Sequence, residues 1–221
     1  MRLLTISSNR FRKISEKFNT LDSLKLDGVN SPSRMFSVSS GKKLNGEEIA
    51  ETLLAEASFT TASDKKPIVA TFGCGPCVAL GGFDSTNKIA FMVHFTNSGE
   101  VRNSCGLILS NINKLVKRKI TSPIQLHLRG GYEGKSEPII KAIKILMRQN
   151  DDLPMEIASK DILVSDRSLK GKSLSIDSRT GAVSDYNPMD NPKSRGISYE
   201  SALSARLSFY MPQIQIAYSP S

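Results

Sequence analysis

No stretch of this 221-residue chain approaches 18 consecutive apolar residues, so it offers no membrane-crossing helix and no stable membrane insertion is expected. The opening MRLLTISSNRFRKISEKF has neither a continuous apolar region nor a small-residue cleavage site, which argues against a Sec-type signal peptide. Cysteine is scarce. Cys74, Cys77 and Cys105 are an odd number, so a disulfide framework is not expected and at least one thiol should be free. Histidine is scarcer still, because His94 and His127 are the only imidazoles. Any chemistry needing a base that titrates near neutral pH must draw on one of those two. Aromatic and basic residues are not interleaved, which removes the usual signature of RNA recognition. No internal repeat is visible, which excludes a repeat array.

What is present suits one globular domain of catalytic size: 39% apolar and 23% charged residues in 24.2 kDa. The formal charge of +9 is unevenly placed. Residues 1–45 hold nine Lys or Arg against three acids, whereas residues 46–186 hold eighteen against sixteen. The excess therefore reads as a solvated basic extension, and no nucleic-acid partner is expected. Residues 1–46, rich in Ser, Asn, Lys and Arg, form a flexible N-terminal extension in this reading; residues 47–186 form the domain. Residues 187–221 return to Pro, Asn and Ser as a C-terminal extension, with SYESALSARLSFYM able to form one helix.

Within the domain, EEIAETLLAEA at 47–57 begins with acids and sets Ile49, Leu53 and Leu54 on one face, which predicts a short amphipathic helix. PIVATFG, CVALGGF and KIAFMVHF are short apolar or β-branched runs between Gly, Asp and Asn, and predict three strands. Helical spacing of Leu107, Ile108, Ile112, Leu115 and Val116 predicts a helix over 103–118. IQLHLR alternates Ile124, Leu126 and Leu128 inward with Gln125, His127 and Arg129 outward, so His127 is expected in solvent. A glycine cluster then breaks that strand. Ser136 can cap a second helix with Pro138 in its first turn and Ile139, Ile143, Leu146 and Met147 as its apolar stripe. MEIASKDILV, KSLSID and TGAVSDY supply three further strands.

The distinctive segment is Thr71-Phe-Gly-Cys-Gly-Pro-Cys77, a strand running into a glycine turn that ends in a cysteine. Gly73 and Gly75 permit positive φ and close approach, so a nucleophile just after them can be presented with backbone N–H groups able to hold an oxyanion. A cysteine nucleophile needs a base, because the thiolate reacts and an unperturbed thiol has a pKa near 8.5. The same residues allow other readings. Cys74 and Cys77 have the C-x-x-C spacing of a redox pair, although such a pair usually opens a helix; a structural zinc would need a fourth ligand beyond Cys74, Cys77 and His94. Cys77 also reads as a small buried apolar residue, and His94 as a hydrogen-bonded core histidine.

The segment resembles the CheD chemoreceptor glutamine deamidases, a family similar in fold and site to the catalytic domain of cytotoxic necrotizing factor. That family carries T-x-G-x-G-S-C and, after sixteen intervening residues, a histidine at a strand end; Thr71, Gly73, Gly75, Cys77 and His94 fall at those positions. The downstream order, with Gly130-Gly131 and Thr180-Gly181, is also similar, and the resemblance covers about residues 65–186. It implies an α+β fold, a layered αββ sandwich of short mixed strands with helices packed on one side. It further implies a cysteine hydrolase that converts protein glutamine to glutamate with release of ammonia, without metal or organic cofactor. Cys77 would be the nucleophile, His94 the base and acid, Thr71 the residue orienting His94, and Gly73 and Gly75 the substrate and oxyanion side. The partner would be a protein presenting an exposed glutamine, either chemoreceptor-like or a host protein, and the enzyme cytoplasmic or a secreted effector. Two departures stand out: the family serine before the nucleophile is Pro76, which has no N–H, and FTNSG follows His94 where the family has apolar residues and proline. The alternative of another class is a non-catalytic or redox-sensing interaction protein using Cys74 and Cys77.

Overall fold

The structure, a computed structural model, describes residues 45–148, 153–164, 171–195 and 213–220. Among them are ten strands in two mixed sheets and two α-helices. The apolar runs at 67–95 become β3 (Ile68–Cys74), β4 (Val78–Asp84) and β5 (Ile89–Phe95). They do not share one sheet. β3 joins β1 (Ile49–Glu51), β8 (Lys172–Asp177) and β9 (Val183–Ser184) in a four-stranded sheet ordered β1-β3-β8-β9. β4 and β5 sit at the centre of a six-stranded sheet ordered β10-β2-β5-β4-β6-β7, with β2 at Glu56–Thr61, β6 at Ile124–Tyr132, β7 at Met155–Val164 and β10 at Gln215–Tyr218. The Gly-rich segment between β3 and β4 is therefore the crossing from one sheet to the other.

The two sheets face each other over a core of Val69, Cys74, Ala79, Phe83, Ala90, Met92, Leu174 and Ile176. Helices α1 (Ser98–Leu115) and α2 (Glu137–Arg148) cover the opposite face of the six-stranded sheet, α1 against β2 and β5 and α2 against β7. This is an αββ sandwich, and burial of both faces explains why β4 and β5 are apolar along their whole length rather than alternating.

Two expectations fail for the same reason, tertiary pairing overriding local propensity. Residues 47–57 form no α-helix. They give a 3₁₀ turn at Gly46–Glu48, then β1 paired in parallel with β3 (Ile49↔Ile68), then β2. Ala55 takes φ 58° and donates its N–H to His94 O, a conformation no helix contains. His127 is buried at 5% exposure, because the polar face of its strand lies under the four-stranded sheet. The glycine pair does not end β6 either; the strand runs through Gly130 and Gly131, both at positive φ, to Tyr132. Helix α1 starts earlier than its apolar stripe, at an N-cap Asn97 whose side chain accepts from Glu100 N. The C-terminal segment is not a separate appendage, since β10 pairs in parallel with β2. The N-terminal 44 residues and the helix expected within 198–211 lie outside the described residues. No described helix is long and apolar enough to cross a membrane.

Candidate functional site

Thr71 projects from β3 into the inter-sheet layer, and His94 projects into it from β5, paired across the sheet with Ala79 of β4. Their meeting is direct: Thr71 Oγ1 lies 2.8 Å from His94 Nδ1, with Thr71 fully buried and His94 at 1% exposure. The third group there is Cys74, whose Sγ is 3.8 Å from both His94 Nδ1 and Nε2. If Nδ1–H donates to Thr71 Oγ1, the lone pair of His94 is on Nε2, the tautomer a general base requires.

Cys77 stands at the outer end of the same turn, half-buried, and its Sγ hydrogen-bonds to none of the described residues. The charges are those of a resting site. Burial pushes the Cys77 thiol up to about 12, helped by the nearby Glu100 carboxylate, and burial pulls His94 down to about 4. Cys74 is raised as well, first by burial. Both shifts favour the uncharged forms of Cys77 and His94 at neutral pH, so neither supports a thiolate–imidazolium pair. Glu100 is itself fully buried and accepts from Thr96 N–H, the Thr96 hydroxyl and Asn97 Nδ2, a use of the segment after His94 that its sequence had not suggested.

The turn is held from behind by the end of β6 and the loop before α2. Gly131 N–H donates to Gly75 O and Cys77 O, both at 2.8 Å. Ser136 Oγ donates to Pro76 O at 2.6 Å and accepts from Tyr132 N–H at 2.9 Å, so this serine ties the turn down instead of capping its helix. Gly130 is where the two backbones touch: a Cβ there would sit 2.6 Å from Cys77 O and 2.7 Å from Cys74 O and Cys74 Cβ. Gly73 takes φ +72° and accepts at its carbonyl from Gly75 N–H at 2.9 Å. Gly75 N–H is thus engaged inside the turn, and a Cβ on Gly75 would meet the Tyr132 hydroxyl at 2.7 Å. The N–H of Cys77 itself donates to none of the described residues.

The structure therefore brings together Thr71, His94 and Cys74; Cys77 stands on the turn that Gly73 and Gly75 shape, and its sulfur is not within hydrogen-bonding reach of His94. Sequence reasoning missed Gly131 and Ser136 as supports of the turn. Sixty residues separate Ser136 from Pro76, and nothing in a lone serine before a helix signals that contact. Among the described residues no three His, Cys, Asp or Glu side chains converge as a metal site. A cavity of about 270 Å³ opens elsewhere, beside Glu51, Lys66, Lys193 and Tyr218, and shares no residue with this site. In comparisons with known proteins, no family model matches the chain, and no curated protein matches it.

Proposed function

We propose that the chain is a cysteine hydrolase acting on the side-chain carboxamide of glutamine in a protein substrate, with Cys77 as nucleophile, His94 as base and acid, and Thr71 orienting His94. The buried 2.8 Å contact between Thr71 and His94, under the turn that carries Cys77, is the observation that supports it. A histidine fixed through Nδ1 can take the Cys77 proton on Nε2 as sulfur attacks the carboxamide carbon, and return it to nitrogen as ammonia leaves. The thioester that remains is cleaved by water, with His94 again taking a proton, to give glutamate and the free thiol. A nucleophile at the apex of a turn suits a protruding side chain better than an extended backbone, which favours deamidation over peptide cleavage. The enzyme would work in the cytoplasm or as a secreted effector, on a chemoreceptor-like or host protein. No metal or organic cofactor takes part in these steps.

Incubation with protein lysates, followed by ammonia measurement and site-resolved mass spectrometry, tests this. The expected outcome is a gain of roughly 1 Da at particular glutamines with the substrate chain intact, absent with Cys77→Ser. Cys77-dependent chain cleavage without that gain would replace deamidation by proteolysis. A second reading, a redox-sensing pair, draws on the contact of Cys74 with His94. It requires reversible Cys74–Cys77 oxidation and equal loss of function in Cys74→Ala and Cys77→Ala.

A further inference from the structure

The loop before α2 does more than brace the turn. No peptide bond of the protein is cis, and in a trans peptide the N–H points opposite to the carbonyl of the same unit. Pro76 O is drawn to Ser136 Oγ at 2.6 Å, and Ser136 is fully buried. The other half of that peptide unit, Cys77 N–H, is thereby aimed away from the loop. The flanking carbonyls, Gly75 O and Cys77 O, are both held by Gly131 N–H, so the unit cannot roll without breaking bonds on either side. Ser136 Oγ is in turn fixed by Tyr132 N–H, which leaves its hydrogen one acceptor, Pro76 O. Pro76 has no N–H, and Gly75 N–H is engaged by Gly73 O, so Cys77 N–H is the one backbone donor among residues 75–77 left without an acceptor among the described residues.

We propose that Ser136 is the positioning residue of the reaction: by holding Pro76 O it aims Cys77 N–H at the oxygen that becomes negative when Cys77 attacks a carbonyl or carboxamide. This rests on the reading of Cys77 as the nucleophile, and it extends to any acyl transfer at that sulfur. A donor already aimed at developing charge contributes to the transition state and little to the ground state, so its misalignment should slow acyl transfer and spare reactions of the same sulfur that form no oxyanion.

Two small electrophiles separate these cases. With p-nitrophenyl acetate, the Cys77 sulfur adds to the ester carbonyl, an oxyanion forms, p-nitrophenolate leaves, and an acetyl thioester remains. With iodoacetamide, sulfur displaces iodide and no oxyanion appears. Rates of both at Cys77, read by site-resolved mass spectrometry at pH 8.5, should part company in Ser136→Ala: acetylation slower by about 10²-fold, alkylation unchanged. Ser136→Cys keeps the volume and a weaker donor, and should give an intermediate acetylation rate; it is also the test if Ser136→Ala does not fold. Equal slowing of the two reactions would mean Ser136 is merely structural and overturn the proposal, as would unchanged acetylation in both variants, or a wild-type Cys77 that is alkylated but never acetylated. Ser136-dependent acetylation in a protein that converts no glutamine to glutamate would support the positioning role while sinking the deamidase reading.

Discussion

His94 on β5 and His127 on β6 point from the six-stranded sheet into the same inter-sheet layer, and each meets a hydroxyl at Nδ1 at 2.8 Å, Thr71 in one case and Ser159 in the other. Both are buried, and both are pulled down to about 4 by that burial, with the Arg129 cation adding to the effect on His127. The difference lies in what comes next. Thr71 reaches His94 from the opposite sheet, along the same strand that continues into Cys74 and the turn bearing Cys77. Ser159 reaches His127 from the neighbouring strand β7 and also accepts from Arg129 Nη1; His127 Nε2 is left buried without a hydrogen-bond partner. A neutral buried imidazole with a hydroxyl on Nδ1 is thus a motif this layer forms twice. Only the crossing of the chain between sheets, which brings thiols to one of the two, makes a candidate catalytic centre of it.

The comparison breaks most sharply by mutation. Cys77→Ser and His94→Ala should each lower deamidation by about 10³-fold or more if the two act as a unit, whereas His127→Leu should leave turnover near wild type. Loss of activity in a folded His127→Leu would erase the distinction between the two histidines. Removal of the hydroxyls sharpens it further. Thr71→Val should reduce kcat roughly tenfold, the cost of freeing one buried hydrogen-bond partner, and Ser159→Ala should not change it. Steady-state rates on a converted protein substrate compare the pair.

Acid acts on both histidines alike. Their folded pKa values lie below the unfolded value near 6.5, so between about 6.5 and 4 the unfolded chain binds protons that the folded chain refuses. Stability contributed by the two neutral rings is complete above that window and is lost as pH falls through it, by up to roughly 1.4 kcal/mol per pH unit for each ring. Urea unfolding midpoints should therefore drop from pH 7 to pH 5, and His127→Leu should remove part of the drop while leaving the pH dependence of activity intact. The smallest effect belongs to Cys74→Ala: it should retain activity within a few-fold, since the proposed reaction uses the Cys77 sulfur as nucleophile and asks nothing of the Cys74 thiol, although that thiol lies 3.8 Å from Nε2. A loss as large as that of Cys77→Ser would transfer the reading to the redox pair.

Much of this site was legible in the chain. Two histidines in the whole sequence, and a strand ending in Thr71-Phe-Gly-Cys-Gly-Pro-Cys77, left few combinations, and Thr71 and His94 do meet. The strands β3 to β5 follow from short apolar runs between Gly, Asp and Asn, because burial on both faces of β4 and β5 leaves a dense signal. What was not legible depends on contacts between distant segments. Ile49 and Leu53 in a row of good helix formers look helical until β3 is present to pair with β1. Gln125, His127 and Arg129 alternate as an exposed face would, and only the second sheet above them shows otherwise. The resting protonation of Cys77 was not legible either, since the carboxylate near it belongs to Glu100 on α1.

The pinch at Gly130 carries a consequence for how such chains are recognised. Two of the three atoms that a Cβ there would strike are carbonyl oxygens of the turn, Cys74 O and Cys77 O, so no rotamer change can make room and any side chain must displace main chain. The demand for glycine comes from the meeting of two backbones and is independent of whether Cys77 reacts. A descendant that lost its thiol would need Gly130 as strictly as an active one. Gly130 is thus a marker of architecture, and any test of the proposed activity has to be made on Cys77 and His94 instead.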